Sequence, residues 1–243
     1  MMSRHNGRYN LLQRFPRFSL CVATIATYLQ FILVVTLTLT VSVIVFRAAR
    51  ALFFPMLPEP LAFGLVGALT LLATVFALGL IIVLLGSVFR LGLRPGEYPM
   101  YSWRALFWAT YNFYIVTYRY SLMNFIRATP FHVWFYRLMG AQIGSGVMIN
   151  TNIIADCSLL TIGDRSVIGG DATVICHTFE RGRLMIRPVR IGNDVIIGLN
   201  AVVFPGVTIG DGALIAAGSI VLKDTKIPAK STWAGVPARQ IRP

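Results

Sequence analysis

From Ile143 to Ile227 an aliphatic residue returns every six positions. In the second half the beat is unbroken: Ile191, Ile197, Val203, Ile209, Ile215, Val221, Ile227. An α-helix repeats at about 3.6 residues and a strand at about 2, so neither alone sustains this pattern. It fits a hexapeptide β-helix, in which short strands alternate with sharp corners and three hexads complete one coil. The aliphatic residue points into a prism, where flat β-branched side chains stack well. Gly192, Gly198 and Gly210 follow it, and Gly, Asn and Asp at corners tolerate left-handed backbone values. The first coils use Ile143 and Ile149, and the beat resumes at Ile162, Ile168 and Val174 with one extra residue between the two registers. A loop from His177 to Val189 leaves the prism before the hexads restart at Ile191.

The rest of the chain has another character. Apolar residues make up 56% of the whole and mean hydropathy is +0.70, too high for a purely soluble protein. Ser19 to Phe46 runs without a charge, which at about 1.5 Å rise crosses a roughly 30 Å hydrocarbon core with tilt. That is too long for a cleaved signal peptide, and a second run, Leu61 to Phe89, follows almost at once. The expectation is a helical hairpin, with Arg47 to Pro60 as its turn and Gly64, Gly67, Gly79 and Gly86 as candidate sites of close helix contact.

Arg4, Arg8, Arg14 and Arg17 precede the hairpin and Arg90, Arg94 and Arg104 follow it, against Arg47 and Arg50 in the turn. That asymmetry places both chain ends in the cytoplasm. The formal net charge of +13 suits anionic phospholipid heads. Nucleic acid is the other standard reading of a basic protein, but these charges flank hydrophobic segments. Three cysteines without disulfide or zinc spacing fit a reduced compartment.

Four segments follow: a basic stretch over 1–18, a two-helix membrane hairpin over 19–95, interfacial amphipathic helices over 96–139, and the β-helix over 140–243. The third is aromatic-rich and is read as helix lying on the membrane in two pieces broken at Pro130. A short third span through Ala105 to Tyr118 is the alternative, and it would move the β-helix across the membrane.

His177 is the one histidine of the repeat region, where a regular strand ends and the excursion begins. A single imidazole at the rim of a prism, beside a loop that walls off water, suits a general base worth roughly 10²–10⁴-fold. Glu180 is the nearby carboxylate that would orient it. Cys176 should pack inward when its strand neighbour faces out. Arg181 and Arg183, with Arg187 and Arg190, would grip an anionic acceptor or a lipid phosphate.

In order along the chain stand Asn150-Thr-Asn152, Thr161-Ile-Gly-Asp164, His177, Pro188-Val-Arg-Ile-Gly192, Phe204-Pro-Gly-Val-Thr-Ile-Gly-Asp211, Ala217-Gly-Ser219, Lys223-Asp224 and Ala234-Gly-Val-Pro-Ala238. Residues 140–243 thereby resemble the hexapeptide-repeat acyltransferases of the galactoside, maltose and xenobiotic acetyltransferase type. Thr129 to Ala141 resembles membrane-attached relatives, among them the terminal regions of ε-poly-lysine-type synthetases.

The resemblance implies a left-handed parallel β-helix, acetyl-CoA or another short acyl-CoA as co-substrate without a metal, and a homotrimer with sites between subunits. It implies His177 as base, with Asn150, and Asn152 beside it, on the acceptor. Ala201, Ala216, Ala217 and Gly218 would line the pantetheine groove. Gly235, Pro237 and Arg239 would hold the adenosine end, with Trp233 stacked on adenine and Lys223 at a phosphate. Ile196, Ala216 and Cys176 depart from the family's common residues, which touches acyl length and acceptor contacts.

The reading is a membrane-anchored acyltransferase serving a hydroxyl or amine of a lipid, lipid-linked or polymeric acceptor, with no nucleic-acid partner. An amide-forming transferase dependent on a carrier-protein partner is one alternative. A non-catalytic scaffold subunit is another. Zinc chemistry on this fold needs several histidines.

Overall fold

The computed structural model describes residues 14–90, 93–121 and 126–243; His5, Arg4 and Arg8 lie outside them. Two helices open the chain, α1 (Pro16–Phe53) and α2 (Glu59–Arg90), and both are long and apolar enough to cross a membrane. α1 continues past Phe46 through Arg47 and Arg50, because no proline interrupts its hydrogen-bond ladder until Pro55. The expected turn is therefore shorter than Arg47–Pro60. Ser42 and Thr74 join the two helices by a 2.7 Å hydroxyl bond. Gly64 and Gly67 face open space, whereas a Cβ on Gly86 would meet the Met139 Cε at 2.9 Å and one on Gly79 would touch Tyr118. The two effective glycines thus admit later segments of the chain, not α1.

Those segments are α3 (Trp103–Ser121) and α4 (Pro130–Leu138), the second opening on Pro130 at its first turn, where a missing N–H costs nothing. Tyr111, Tyr114 and Ile115 of α3 are buried in one core cluster shared by α2 and the β-helix. Trp103, Phe107, Tyr120, Phe131 and Trp134 stay exposed on the other side. Of the described helices only α1 and α2 have spanning length and hydropathy. Gly96–Pro99 is a strand, which corrects the helical expectation there.

From Gln142 the chain winds into a left-handed parallel β-helix with three walls of five, five and three parallel strands, and the last strand, Ala238–Arg242, adds antiparallel to the second wall. Ile191, Ile209 and Ile227 stack in the first wall, Ile168, Ile197 and Ile215 in the second, and Val174, Val203 and Val221 in the third. Each of these side chains is at most 3% exposed. Burying each stabilises the fold by about 1.5–3 kcal/mol. The left-handed backbone positions recur every six residues, at Asp194, Asn200, Gly206, Gly212, Gly218, Asp224 and Lys230. Gly192, Gly198 and Gly210 are not among them. They answer to space instead: a Cβ on Gly198 would lie 2.5 Å from the Ala217 nitrogen of the next coil.

The arginines flanking the helices hold the β-helix in place. Arg90 donates to the Leu138 carbonyl (3.1 Å), Arg119 to Ile154 (3.4 Å) and Arg137 to Ile143 (3.0 Å), while Arg127 pairs with Asp171. Positive charge expected at lipid heads is thus partly used inside the molecule.

His132 of α4 is fully buried with its ring 4.9 Å from that of Tyr136, and burial lowers its pKa to about 4. An unfolded chain takes up this proton near pH 6.5, whereas the folded chain refuses it until about pH 4. Stability should therefore fall on acidification through that window, by roughly 3 kcal/mol. Denaturant unfolding in detergent micelles, compared between wild type and His132→Phe from pH 7 to pH 4, should show a shallower decline in the variant.

Candidate active site

His177 leaves the third wall directly after Val174 and begins a hairpin, His177–Glu180 with Arg183–Ile186, in which His177 lies opposite Ile186. The strand Gly96–Pro99 adds to its outer edge, Gly96 opposite Ile186 and Pro99 opposite Arg183. Met100 then donates its N–H to the Gly182 carbonyl at the tip, 3.0 Å. The chain leaving α2 thus braces the excursion that carries the imidazole.

One coil below lies the irregular segment holding the extra residue. Ile154 pairs with Val174, so Asp156, in a left-handed backbone position (φ 55°), sits beneath Cys176. Its carboxylate is fully buried and accepts four bonds. Oδ2 takes the His177 Nδ1 at 2.5 Å and the Cys176 N–H at 3.2 Å. Oδ1 takes Trp108 Nε1 at 2.8 Å and Asn112 Nδ2 at 2.9 Å, one helical turn apart on α3. These four donors satisfy the carboxylate's oxygens without water. Because Nδ1 carries the proton toward Asp156, the His177 Nε2 keeps its lone pair. The imidazole is 19% exposed, with the Trp108 ring at 4.6 Å and the Phe179 ring at 6.1 Å. An oriented imidazole with a free Nε2 at an accessible corner can accept a proton from a hydroxyl or amine.

Glu180 is not the orienting group. It lies three positions along the same strand, so it points to the opposite face from His177. Both of its oxygens take the Lys223 Nζ at 2.6 Å, and that bond holds its carboxyl below the usual range. Lys223, expected at a CoA phosphate, is committed to the same ion pair. Cys176 packs inward, and burial pushes its thiol well up.

Asn150 follows the second wall, at a different corner from His177, where its carbonyl accepts from Arg127 at 3.3 Å. The chain by itself does not bring the two together. Asn152 is buried, which keeps it from an acceptor on this surface. Ala201 is also corrected. Two residues before the inward Val203, it faces the prism interior and is fully buried.

Ala217 and Gly218 are exposed at the same corner as Asn150, with Ala216 half-buried beside them. Trp233 is half-buried and donates to the Ser231 hydroxyl at 3.1 Å. Gly235, Pro237 and Arg239 are exposed on the C-terminal hairpin. Arg181 is exposed at the tip of the first hairpin, and Arg183 lies 3.7 Å from the Glu97 carboxylate. Arg187 pairs with Asp224 and Glu97.

Residues 188–223 match the family model described as the hexapeptide repeat of succinyl-transferase. The chain is 31% identical to Delta-poly-L-ornithine synthetase of Acinetobacter baumannii (strain AB307-0294) over 72% of its own length and 13% of that protein. It is 41% identical to Galactoside O-acetyltransferase of Escherichia coli (strain K12) over 45% of its length and 57% of that enzyme. With YvoF of Bacillus subtilis (strain 168), a protein named for acetyltransferase activity, it shares 32% identity over 54% of its length and 80% of the relative. The chain therefore spans well under two thirds of the first two relatives. The match to the synthetase, at 72% of this chain, is longer than the β-helix and reaches back into the helices.

Removing the central carboxylate should be costly. Asp156→Ala leaves four donors without their partner and should destabilise the protein by about 3–5 kcal/mol. Asn112→Ala, which removes one donor only, should cost about 1–2 kcal/mol. Nitrogen-15 NMR of labelled histidine should report the Nδ1–H tautomer for His177 in wild type and its loss in Asp156→Ala. An unchanged tautomer would show that the carboxylate does not set it.

Proposed function

Because this chain belongs to the hexapeptide-repeat acyltransferases, we propose that it is a membrane-anchored enzyme moving an acyl group, acetyl in the simplest case, from CoA to a hydroxyl or amine of a membrane-associated acceptor. The observation that carries the reading is the imidazole of His177, with its Nδ1 bonded to a buried carboxylate and its Nε2 accessible at a prism corner.

In the proposed reaction Nε2 removes the proton from the acceptor as its oxygen or nitrogen attacks the thioester carbonyl. The tetrahedral intermediate then collapses, the carbon–sulfur bond breaks, and the imidazolium returns the proton to the departing CoA sulfur. Asp156 stabilises the transient imidazolium and keeps the ring in one orientation. No covalent enzyme intermediate is needed.

One feature supports a homotrimer. Ala217, Gly218 and the C-terminal hairpin, proposed for CoA, flank another corner than the one carrying His177. A three-fold assembly would set one chain's imidazole against a neighbour's groove. α1 and α2 supply the proposed anchor in the inner membrane, with the β-helix facing the cytoplasm. Anchoring raises the local concentration of an acceptor that shares the bilayer.

The long match to Delta-poly-L-ornithine synthetase favours a second reading, in which an activated aminoacyl group delivered by a carrier protein is joined to an amine.

Acetyl-CoA should raise the melting temperature of the full chain in detergent, and His177→Ala should keep that stabilisation while losing about 10²–10⁴-fold in acetyl transfer. Thermal scans and a free-thiol assay with membrane extracts as acceptor check both. Aminoacyl transfer from a carrier protein, without acetyl-CoA turnover, would select the second reading.

A further inference from the structure

Between the first turns of α1 and the first half of α3 lies a cavity of about 170 Å³. Leu20 and Ala23 of α1, Ala105, Trp108 and Ala109 of α3, and Phe179 of the hairpin line it. An apolar cavity of about 150 Å³ stays dry and holds a benzene-sized guest, so this one has room for a segment of hydrocarbon chain.

Three observations indicate what fills it. Leu20 and Ala23 open the uncharged run of α1, so the cavity is lined by the part of that helix that would enter the bilayer. Ala105 and Ala109 are one turn apart on a helix otherwise crowded with Trp103, Phe107 and Tyr111, and their small side chains leave the space open. Phe179 is 47% exposed on the hairpin that carries His177, and its ring lies 5.2 Å from that of Trp108. The two rings separate the cavity from the imidazole by one aromatic thickness, since both also contact His177.

We infer that this cavity takes the hydrocarbon end of the acceptor, a membrane-resident amphiphile whose polar head carries the hydroxyl or amine over the Trp108–Phe179 edge to His177. The inference rests on the acyltransferase reading above. It goes further by naming an acceptor with an alkyl chain and the place that chain occupies. A chain arriving from the bilayer meets the cavity at its α1 side, whereas a donor dissolved in the cytoplasm has no such path.

The test uses the full chain in nanodiscs of phosphatidylethanolamine and phosphatidylglycerol, with hexadecanol bearing a terminal diazirine as the probe. After photolysis, peptide mass spectrometry should find label on Ser19–Ala23 and Ala105–Ala109. Ala109→Trp, which fills the cavity, should abolish that label while keeping the melting temperature and its rise with acetyl-CoA. Ala23→Trp, on α1, gives the same reading should Ala109→Trp fail to fold. Label confined to the outward faces of α1 and α2, and indifferent to both substitutions, would overturn the inference. So would label in the cavity from a diazirine-bearing palmitoyl-CoA with none from the alcohol, since the chain would then belong to the donor. Failure of acetyl-CoA to stabilise wild type would instead count against the transferase reading and leave the labelling result standing.

Discussion

A single buried carboxylate ties the molecule together. Asp156 has no solvent, so its charge is tolerable only while every lone pair finds a donor. The donors come from distant elements: the indole and amide of α3, the backbone at Cys176, and the imidazole of His177. Shifting α3 by an ångström would leave the charge uncompensated, at a cost of several kcal/mol. The α3 helix and the corner that carries the imidazole therefore cannot move independently. This requirement also accounts for the strand Gly96–Pro99, which fixes the far edge of the same hairpin.

The β-helix supplies the rigid frame that such a demand needs. Its coils stack so closely that a Cβ on Gly163 or Gly192 would meet the next coil below 3.0 Å. A frame of that density transmits displacement instead of absorbing it. Where the coil departs from regularity, between Asn150 and Leu159, the departure creates the site. The extra residue turns the backbone left-handed at Asp156 and aims its carboxylate upward to the next coil.

The prism was readable in the sequence because its constraint is local. A six-residue period can be counted, and so can the one-residue lag between Ile143 and Ile162, which pair in the structure. The position of His177, where a regular coil ends and the excursion begins, was readable too. Asp156 was not, since its partners Trp108 and Asn112 lie 48 and 44 residues away on a helix whose aromatic content suggested only a membrane surface. Glu180 stood nearer in sequence, but three positions along a strand means the opposite face. The lag itself was the available signal: an acidic residue inside an irregular coil, one layer below a terminal histidine, marks a carboxylate that the fold has placed deliberately. Ala201 misled for the same reason as Glu180, because alternation along the strand sends it inward with Val203.

The helices and the β-helix share one continuous core, and this bears on what kind of anchor α1 and α2 could form. A tether would leave a polar surface between membrane segment and catalytic domain, with each folding on its own. Here Tyr114 meets Phe89 at 5.9 Å, Tyr118 stacks on Phe135 at 3.7 Å, and Met139 closes against Gly86. Arg90, Arg119 and Arg137 then bind backbone carbonyls that would otherwise face solvent at the junction. Cutting the chain after α2 would expose those aromatic faces and remove the brace from the hairpin. The two long apolar helices are thus a structural part of the site.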